Sequence, residues 1–366
     1  MRVLVAPLNW GLGHATRCIP VIHYLVQQKH EVILASDGQA LVLLKKEFPG
    51  LPFVELPKWK IHYHIKPFFL GMLWQLPKFL LAIIKERRKI KSISKEYKID
   101  AIISDSRYGI YDNVIPSVFI SHQINIQFPT LFHFLGRWFN QRHQHYISRF
   151  QQVWIPDVAK GIADKLSKIE LPQVKHIGMI SRFSRLPETS NQHHKILFLL
   201  SGPEPTRTQF EKIILNQIKN SDYDNFQFEL VRGTNRKTQI RNIPSTISMH
   251  GVIDKIELER KIKQASLVVL RSGYTSVMDM LAIGKKVVFV PTPGQTEQEY
   301  LAKQLKEKYK ALVVTQKDFR LDKILAEHDN IPLIKEDPSS FNQFSFFVDA
   351  WLQEVQMKLT NLRGHD

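Results

Sequence analysis

Three groups of residues in this 366-residue chain have the types and spacing to do chemistry. One is Arg271-Ser272-Gly273-Tyr274-Thr275, which interrupts the apolar run Leu267–Leu270 and precedes a helical pattern from about Thr275. A helix leaves the N–H groups of about its first four residues without intrahelical partners and gathers roughly half a positive charge at its start. Such a turn suits an anion, most simply a phosphate. Gly273 permits close backbone approach, and Ser272, Thr275 and Ser276 offer hydroxyls. Asp279, about one helical turn beyond Thr275, is placed to accept hydrogen bonds from a ribose diol. Simple capping by Ser272 or Thr275 with a solvated Asp279 would leave the same pattern.

The second group is His14, directly after the glycine loop Asn9-Trp10-Gly11-Leu12-Gly13. An imidazole titrates near working pH, so at a glycine-rich mouth it is a candidate general base; a histidine that only caps its helix is the alternative. The third is Asp105, which closes the strand Ala101–Asp105 at the carboxyl edge expected to carry His14. It is a second candidate for the base, or the group that orients His14, or a turn cap. His122-Gln123 ends a further strand at this edge.

The elements that must position these groups alternate strand and helix. Strands are predicted at 2–7, 31–35, 53–56, 101–105 and 117–121, with 153–156 the last of the first domain, and helices at about 15–29 and 39–48. That alternation argues for an α/β chain with parallel, doubly wound sheets covered on both faces, whose ligands gather at the carboxyl ends of the strands. The polar, unpatterned stretch 186–194 separates a first Rossmann-like domain, 1–185, from a second, 195–338. The second domain opens with a strand at 195–200 and the loop Ser201-Gly202-Pro203-Glu204-Pro205, then strands at 226–231, 249–253, 267–270, 287–290 and 312–315. A helix is predicted over 254–265 and another, terminal, over about 340–358.

Composition narrows the function. The hydrophobic fraction is 43% and the charged fraction 23%, as in globular proteins, and the only cysteine is Cys18, which excludes an intrachain disulfide. The chain enters its first strand without a basic-then-apolar leader, so a cytoplasmic location is expected. A net charge of +17 calls for an anionic partner, whether nucleic acid, membrane surface or substrate, or else serves only solubility. Without zinc-finger, RNP or helix-turn-helix signatures, nucleic acid is not expected. Residues 58–98 hold eleven Lys or Arg against two Glu around an apolar stretch, Pro67–Ile84. Gln75, Pro77 and Lys78 interrupt that stretch, so it is read as an interfacial helix on an anionic leaflet, not a span; a buried helix with a charged tail is the alternative. Aromatic and basic residues interleave again over 128–150, which suits a lipid headgroup or a pyrophosphate-bearing acceptor. His133, His143 and His145 there lack metal-ligand spacing, and the DxD-like Asp222-Tyr223-Asp224 reads as a turn, so no metal is expected.

The segment with RSG at 271–273, Asp279, Gly284, Phe289-Val290-Pro291 and Gln298 resembles the donor-binding segment of family 28, MurG-like glycosyltransferases. Gly11-Leu12-Gly13-His14 is similar to the acceptor-side loop of glycosyltransferases with two facing domains. The resemblance implies the GT-B architecture, two facing Rossmann-like domains with an interdomain cleft and a terminal helix, 339–366, returning to the first. It implies that the turn at Arg271 to Thr275 holds a nucleotide diphosphate, Asp279 the ribose and Gln298 the sugar. The family usually has Glu at the position of Asp279 and a second Gln where this chain has Glu299. Gly178 to Arg182 resembles an element that brings an arginine to the donor phosphates. Ser201-Gly202 is similar in place to a second phosphate loop, and Ile253 would lie beside the base. The expected activity is metal-independent inverting transfer of a hexose-type sugar from a nucleotide donor, a UDP-sugar first, to a hydroxyl acceptor, lipid-linked at the membrane surface being one candidate. A nucleotide-sugar epimerase and a non-catalytic nucleotide- or membrane-binding protein are the rival readings.

Overall fold

Short apolar runs rich in β-branched residues alternate with amphipathic segments, and the chain folds as two units, each built on its own sheet. One unit is Met1–Arg182 with Pro338–Asp366, the other Phe183–Asp337. The computed structural model describes residues 1–59, 75–126, 128, 133–168, 171–183, 194–220, 223, 225–234, 243, 245–341 and 343–363.

The first unit holds β1 (Arg2–Pro7), β2 (Glu31–Ser36), β3 (Phe53–Glu55), β4 (Ala101–Asp105), β5 (Ser117–Ile120), β6 (Gln152–Ile155) and β7 (Val174–His176). All pair in parallel, in the order β3-β2-β1-β4-β5-β6-β7. The winding therefore reverses between β1 and β4, and that switch point is where a doubly wound sheet opens a crevice at its carboxyl edge. In the β1–β4 register Pro7 faces Asp105. Side chains of β1 alternate: Val3 and Val5 pack with the helix Gly13–Gln27 on one face, Leu4 and Ala6 with Ile90 and Ile93 of the helix Leu76–Glu96 on the other. One expectation is corrected, since β7 continues the sheet beyond 153–156. Its three residues are half-buried at the edge and carry little of the apolar signal of a central strand.

The terminal helix Gln343–Arg363 belongs to this unit and completes its core through Val348, Trp351, Leu352 and Val355. Trp351 meets Trp154 edge-to-face at 5.4 Å, and Tyr24 Oη donates to Asp349 at 2.6 Å. Burial and this carboxylate push the Tyr24 phenol up to about 12.

The second unit repeats the plan with β8 (Lys195–Leu199), β9 (Gln227–Val231), β10 (Ile247–His250), β11 (Leu267–Leu270), β12 (Lys285–Phe289) and β13 (Leu312–Val313). The order is β10-β9-β8-β11-β12-β13, all parallel, while β14 (Leu333–Ile334) pairs antiparallel with β12. Here the winding reverses between β8 and β11, so the loops after these strands, 200–205 and 271–273, flank the second switch point. Phe198, Phe210, Phe228 and Phe319 fill the core beneath. The linker stretch 186–194 lies outside the described residues except for His194, as do Asp222 and Asp224 of the DxD-like string.

Candidate functional site

At the first switch point the loop after β1 turns at Gly11, whose φ of +83° favours glycine and whose missing Cβ would meet nothing within 4 Å. Asn9 fixes this loop: its Oδ1 accepts from Ala40 N at 3.1 Å and its Nδ2 donates to Asp37 Oδ2 at 3.2 Å. Gly13 opens the next helix, so His14 rides on its first turn. His14 Nδ1 lies 2.7 Å from Asp105 Oδ1, with the imidazole 18% exposed and the carboxylate fully buried. The two residues singled out by type, 91 positions apart, are thus one hydrogen-bonded dyad at the end of β4. The Asp105 carboxylate accepts a hydrogen bond from Nδ1–H, which leaves His14 Nε2 as a proton acceptor.

Sequence reasoning missed what holds this dyad. Arg17, three residues on and so on the same helix face, donates from Nε to Asp105 Oδ2 at 2.8 Å and from Nη2 to Oδ1 at 2.6 Å. Its Nη1 lies 2.8 Å from Nδ1 of His122, the residue that follows β5 and Ser121. Burial pushes the Asp105 carboxyl up, but Arg17 and His14 outweigh it and hold the group well below the ordinary carboxylate range. Burial, with Asp105 beside it, pushes the Cys18 thiol well up, so this cysteine is an inert part of the core. A second buried arginine, Arg107, ties the same edge together, donating to Pro7 O at 3.0 Å and Glu86 Oε1 at 2.7 Å, and to Asp37. Burial of Glu86 raises its carboxyl despite that guanidinium.

At the second switch point the helix Tyr274–Ile283 starts at Gly273, a cap residue that has no side chain to bond the first turn. Gly273 has φ −72° and ψ 140°, open to any residue, and its missing Cβ would meet nothing within 4 Å. Neither backbone nor packing asks for glycine here. Thr275 is half-buried on the first turn, Tyr274 is buried, and Asp279 is buried one turn further in. Ser201 and Gly202 are exposed on the loop after β8, where Gly202 has φ +100°.

Other donor-side residues are turned inward. Arg271 is not an open phosphate ligand: its guanidinium is buried, donating to the carbonyls of Val290, Pro291 and Thr206 and to Gln316 Oε1 over 2.7–3.2 Å. It stacks over Phe210 at 4.4 Å, and burial lowers its pKa to about 10. Ser272 is buried and donates to Gln298 O at 2.9 Å, so it pins the helix Thr296–Tyr309. Gln298 accepts from Thr292 N at 2.9 Å, and Glu299 accepts from Gly294 N at 3.1 Å, so both hold the loop before their helix. That loop offers a residue no motif marked. Thr292 Oγ1 is buried without a hydrogen-bond partner among the described residues, 3.7 Å from where a Gly202 Cβ would stand.

Ile253 is half-buried just before the helix Lys255–Gln264, and Arg182 is the half-buried last residue of the first unit's main segment. His143 is spoken for by Tyr108 Oη at 2.6 Å and Ile124 O at 2.9 Å; burial lowers it to about 4. Among the described residues no cluster of His, Cys, Asp and Glu could hold a metal, and no helix is long and apolar enough to cross a membrane. Of the cationic apolar segment, 60–74 lie outside the described residues. The remainder forms the helix Leu76–Glu96, which buries Ile83, Glu86, Ile90 and Ile93 and leaves Leu80, Leu81 and Ile84 exposed at 45%, 57% and 47%.

Comparison with known proteins bears on the fold and on the second half of the chain. Residues 196–345 match the glycosyltransferase family 28 C-terminal domain. The chain is 21% identical over 345 residues to the UDP-N-acetylglucosamine–N-acetylmuramyl-(pentapeptide) pyrophosphoryl-undecaprenol N-acetylglucosamine transferase of Bacillus pumilus, covering 90% of each chain. It is similar in structure to the glycotransferase of kitacinnamycin, with TM-score 0.65 at 13% identity, covering 98% of this chain and 95% of that one. It also resembles MurG of Acinetobacter baumannii, with TM-score 0.53 at 14% identity, covering 98% and 100%.

Proposed function

We propose that this chain, a glycosyltransferase of the GT-B fold whose residues 196–345 match the family 28 C-terminal domain, moves a hexose from a UDP-linked donor to an acceptor hydroxyl with inversion at the anomeric carbon. One observation carries the reading. His14, bonded through Nδ1 to a buried, ionised Asp105 at 2.7 Å, presents Nε2 at the first switch point as a general base. The acceptor proton passes to Nε2 as its oxygen bonds the anomeric carbon, and the bond from that carbon to the nucleotide diphosphate breaks with its electron pair. Asp105 stabilises the imidazolium and Nδ1 stays protonated.

The leaving diphosphate is received by the start of the helix Tyr274–Ile283, where main-chain amides and the helix dipole offset its growing charge. This replaces a divalent ion, so transfer proceeds in EDTA. Asp279 serves the ribose, and the loop that Gln298 and Glu299 hold meets the sugar. That a relative's name specifies a UDP-sugar supports uridine as the base.

The acceptor is lipid-linked and the chain sits peripherally on an anionic leaflet at the inner face of the membrane. Exposed Leu80, Leu81 and Ile84 stand among Lys78, Lys85, Arg88 and Lys89, apolar side chains ringed by cations. Beside them Arg87, Arg88, Lys91 and Arg149 line a shallow groove of ≈ 370 Å³.

Release of UDP from UDP-hexoses with a lipid-diphosphate acceptor tests the reading. His14→Ala is expected to reduce kcat about 10²-fold or more while UDP still binds. Undiminished transfer by His14→Ala would remove the base assignment.

A further inference from the structure

We propose that Arg17 is a positioning residue for proton transfer: it sets His14 and His122 in opposite tautomers and so presents His14 Nε2 as the base. The inference rests on the reading of His14 given above. Arg17 is 2% exposed, and its guanidinium reaches three titratable side chains at once. Two come from other strands' ends, Asp105 from β4 and His122 after β5; the third, His14, shares its helix.

The assignment follows from which atoms can donate. A guanidinium has five N–H donors and no acceptor. Its Nη1, 2.8 Å from His122 Nδ1, requires that nitrogen to be bare, so the His122 proton is on Nε2. Arg17 Nη2 also lies 3.2 Å from His14 Nδ1, which taken alone would make that nitrogen bare as well. The 2.7 Å contact between His14 Nδ1 and Asp105 Oδ1 decides otherwise, because a bare nitrogen would set two acceptors against each other at that distance. Arg17 Nη2 is already directed to Oδ1 at 2.6 Å, the shorter and charge-assisted bond. His14 therefore carries its proton on Nδ1 and His122 carries its own on Nε2.

The bidentate grip of Arg17 on both Asp105 oxygens produces this arrangement. It keeps a fully buried carboxylate ionised and fixes its plane so that Oδ1 meets His14. Without the guanidinium the carboxylate would be buried with one imidazole and the weak Cys18 Sγ–H donor, 3.6 Å from Oδ2, free to turn or take up a proton. His122 would lose the donor that keeps its Nδ1 bare. Charge alone does not suffice: lysine is a point donor and cannot hold both oxygens and His122 together.

Long-range 1H–15N correlation spectra of histidine-labelled protein, assigned with His14→Gln and His122→Gln, test this without any substrate. Wild type is expected to show protonated Nδ1 for His14 and protonated Nε2 for His122. In Arg17→Met both rings are expected to lose the single tautomer. Its kcat falls about 10²-fold while KM for the UDP-sugar and affinity for UDP stay within threefold; Arg17→Lys recovers only part of kcat. A wild-type His14 protonated on Nε2 overturns the proposal, and needs no variant to fold. Tautomers and kcat unchanged in Arg17→Met overturn it equally. Should the chain transfer no sugar, the spectra still decide the tautomers, and it is the glycosyl-transfer reading that fails.

Discussion

Gly273→Ala separates a glycine kept for the fold from one kept for a ligand. At φ −72° and ψ 140° alanine is unstrained, and its methyl would have no protein atom within 4 Å. Replacing glycine at a compatible site stabilises by about 0.4–1 kcal/mol through the unfolded chain, while alanine at a helix N-cap costs about as much. Net stability is thus expected within about 1 kcal/mol of wild type, a melting shift of roughly 2–4 °C for units of this size. The ligand has less room. A methyl where the diphosphate approaches displaces it from at least one main-chain N–H, and a hydrogen bond to a charged group is worth about 1.5–3 kcal/mol. At 1.4 kcal/mol per tenfold, UDP binding should weaken roughly 10- to 150-fold. Titration calorimetry with UDP, beside thermal unfolding without ligand, reads both quantities. Unchanged UDP affinity, or a melting point lowered by much more than 4 °C, would refute the reasoning.

Arg271→Met should instead destabilise, by about 3 kcal/mol in urea unfolding, because it strips donors from the buried carbonyls of Val290, Pro291 and Thr206; full stability with only a raised donor KM would return Arg271 to the ligand. Asp105→Asn leaves the Arg17 cation buried without its carboxylate and should cost about 3–5 kcal/mol at pH 7. Since the folded-state pKa of Asp105 is depressed from 3.8, its contribution is present above that pH and is lost as pH falls below it. Urea unfolding between pH 2.5 and 6 should show wild type losing stability over a range where the variant is flatter; parallel curves would count against it. Leu81→Glu with Ile84→Glu should abolish sedimentation with anionic vesicles and leave UDP binding intact; equal partitioning would remove the membrane assignment.

The parallel arrangement was legible because strands such as Leu267–Leu270 are uniform apolar runs, and Ala101–Asp105 begins as one, each buried on both faces. From that arrangement came the edge, and so His14 and Asp105 could be named without knowing that they touch. Direction was not legible. Arg271-Ser272-Gly273 reads as one phosphate turn, yet Arg271 and Ser272 point into the fold and Gly273 alone is open, a matter of side-chain phase at a strand end. Arg17 was hidden for a related reason: its spacing from His14 was visible, but the carboxylate that gives it a role comes from 88 residues away. Thr292 carries no motif at all. β7 was missed because a three-residue edge strand has almost no apolar signature.

The claim on which the rest depends is that main-chain amides at the start of the helix Tyr274–Ile283 hold the nucleotide diphosphate. Backbone amide shifts followed during a UDP titration test it directly. The expected result is saturable movement centred on Gly273 to Ser276, with smaller changes at Ser201 and Gly202; saturable UDP binding that leaves Gly273 to Ser276 unmoved would contradict it.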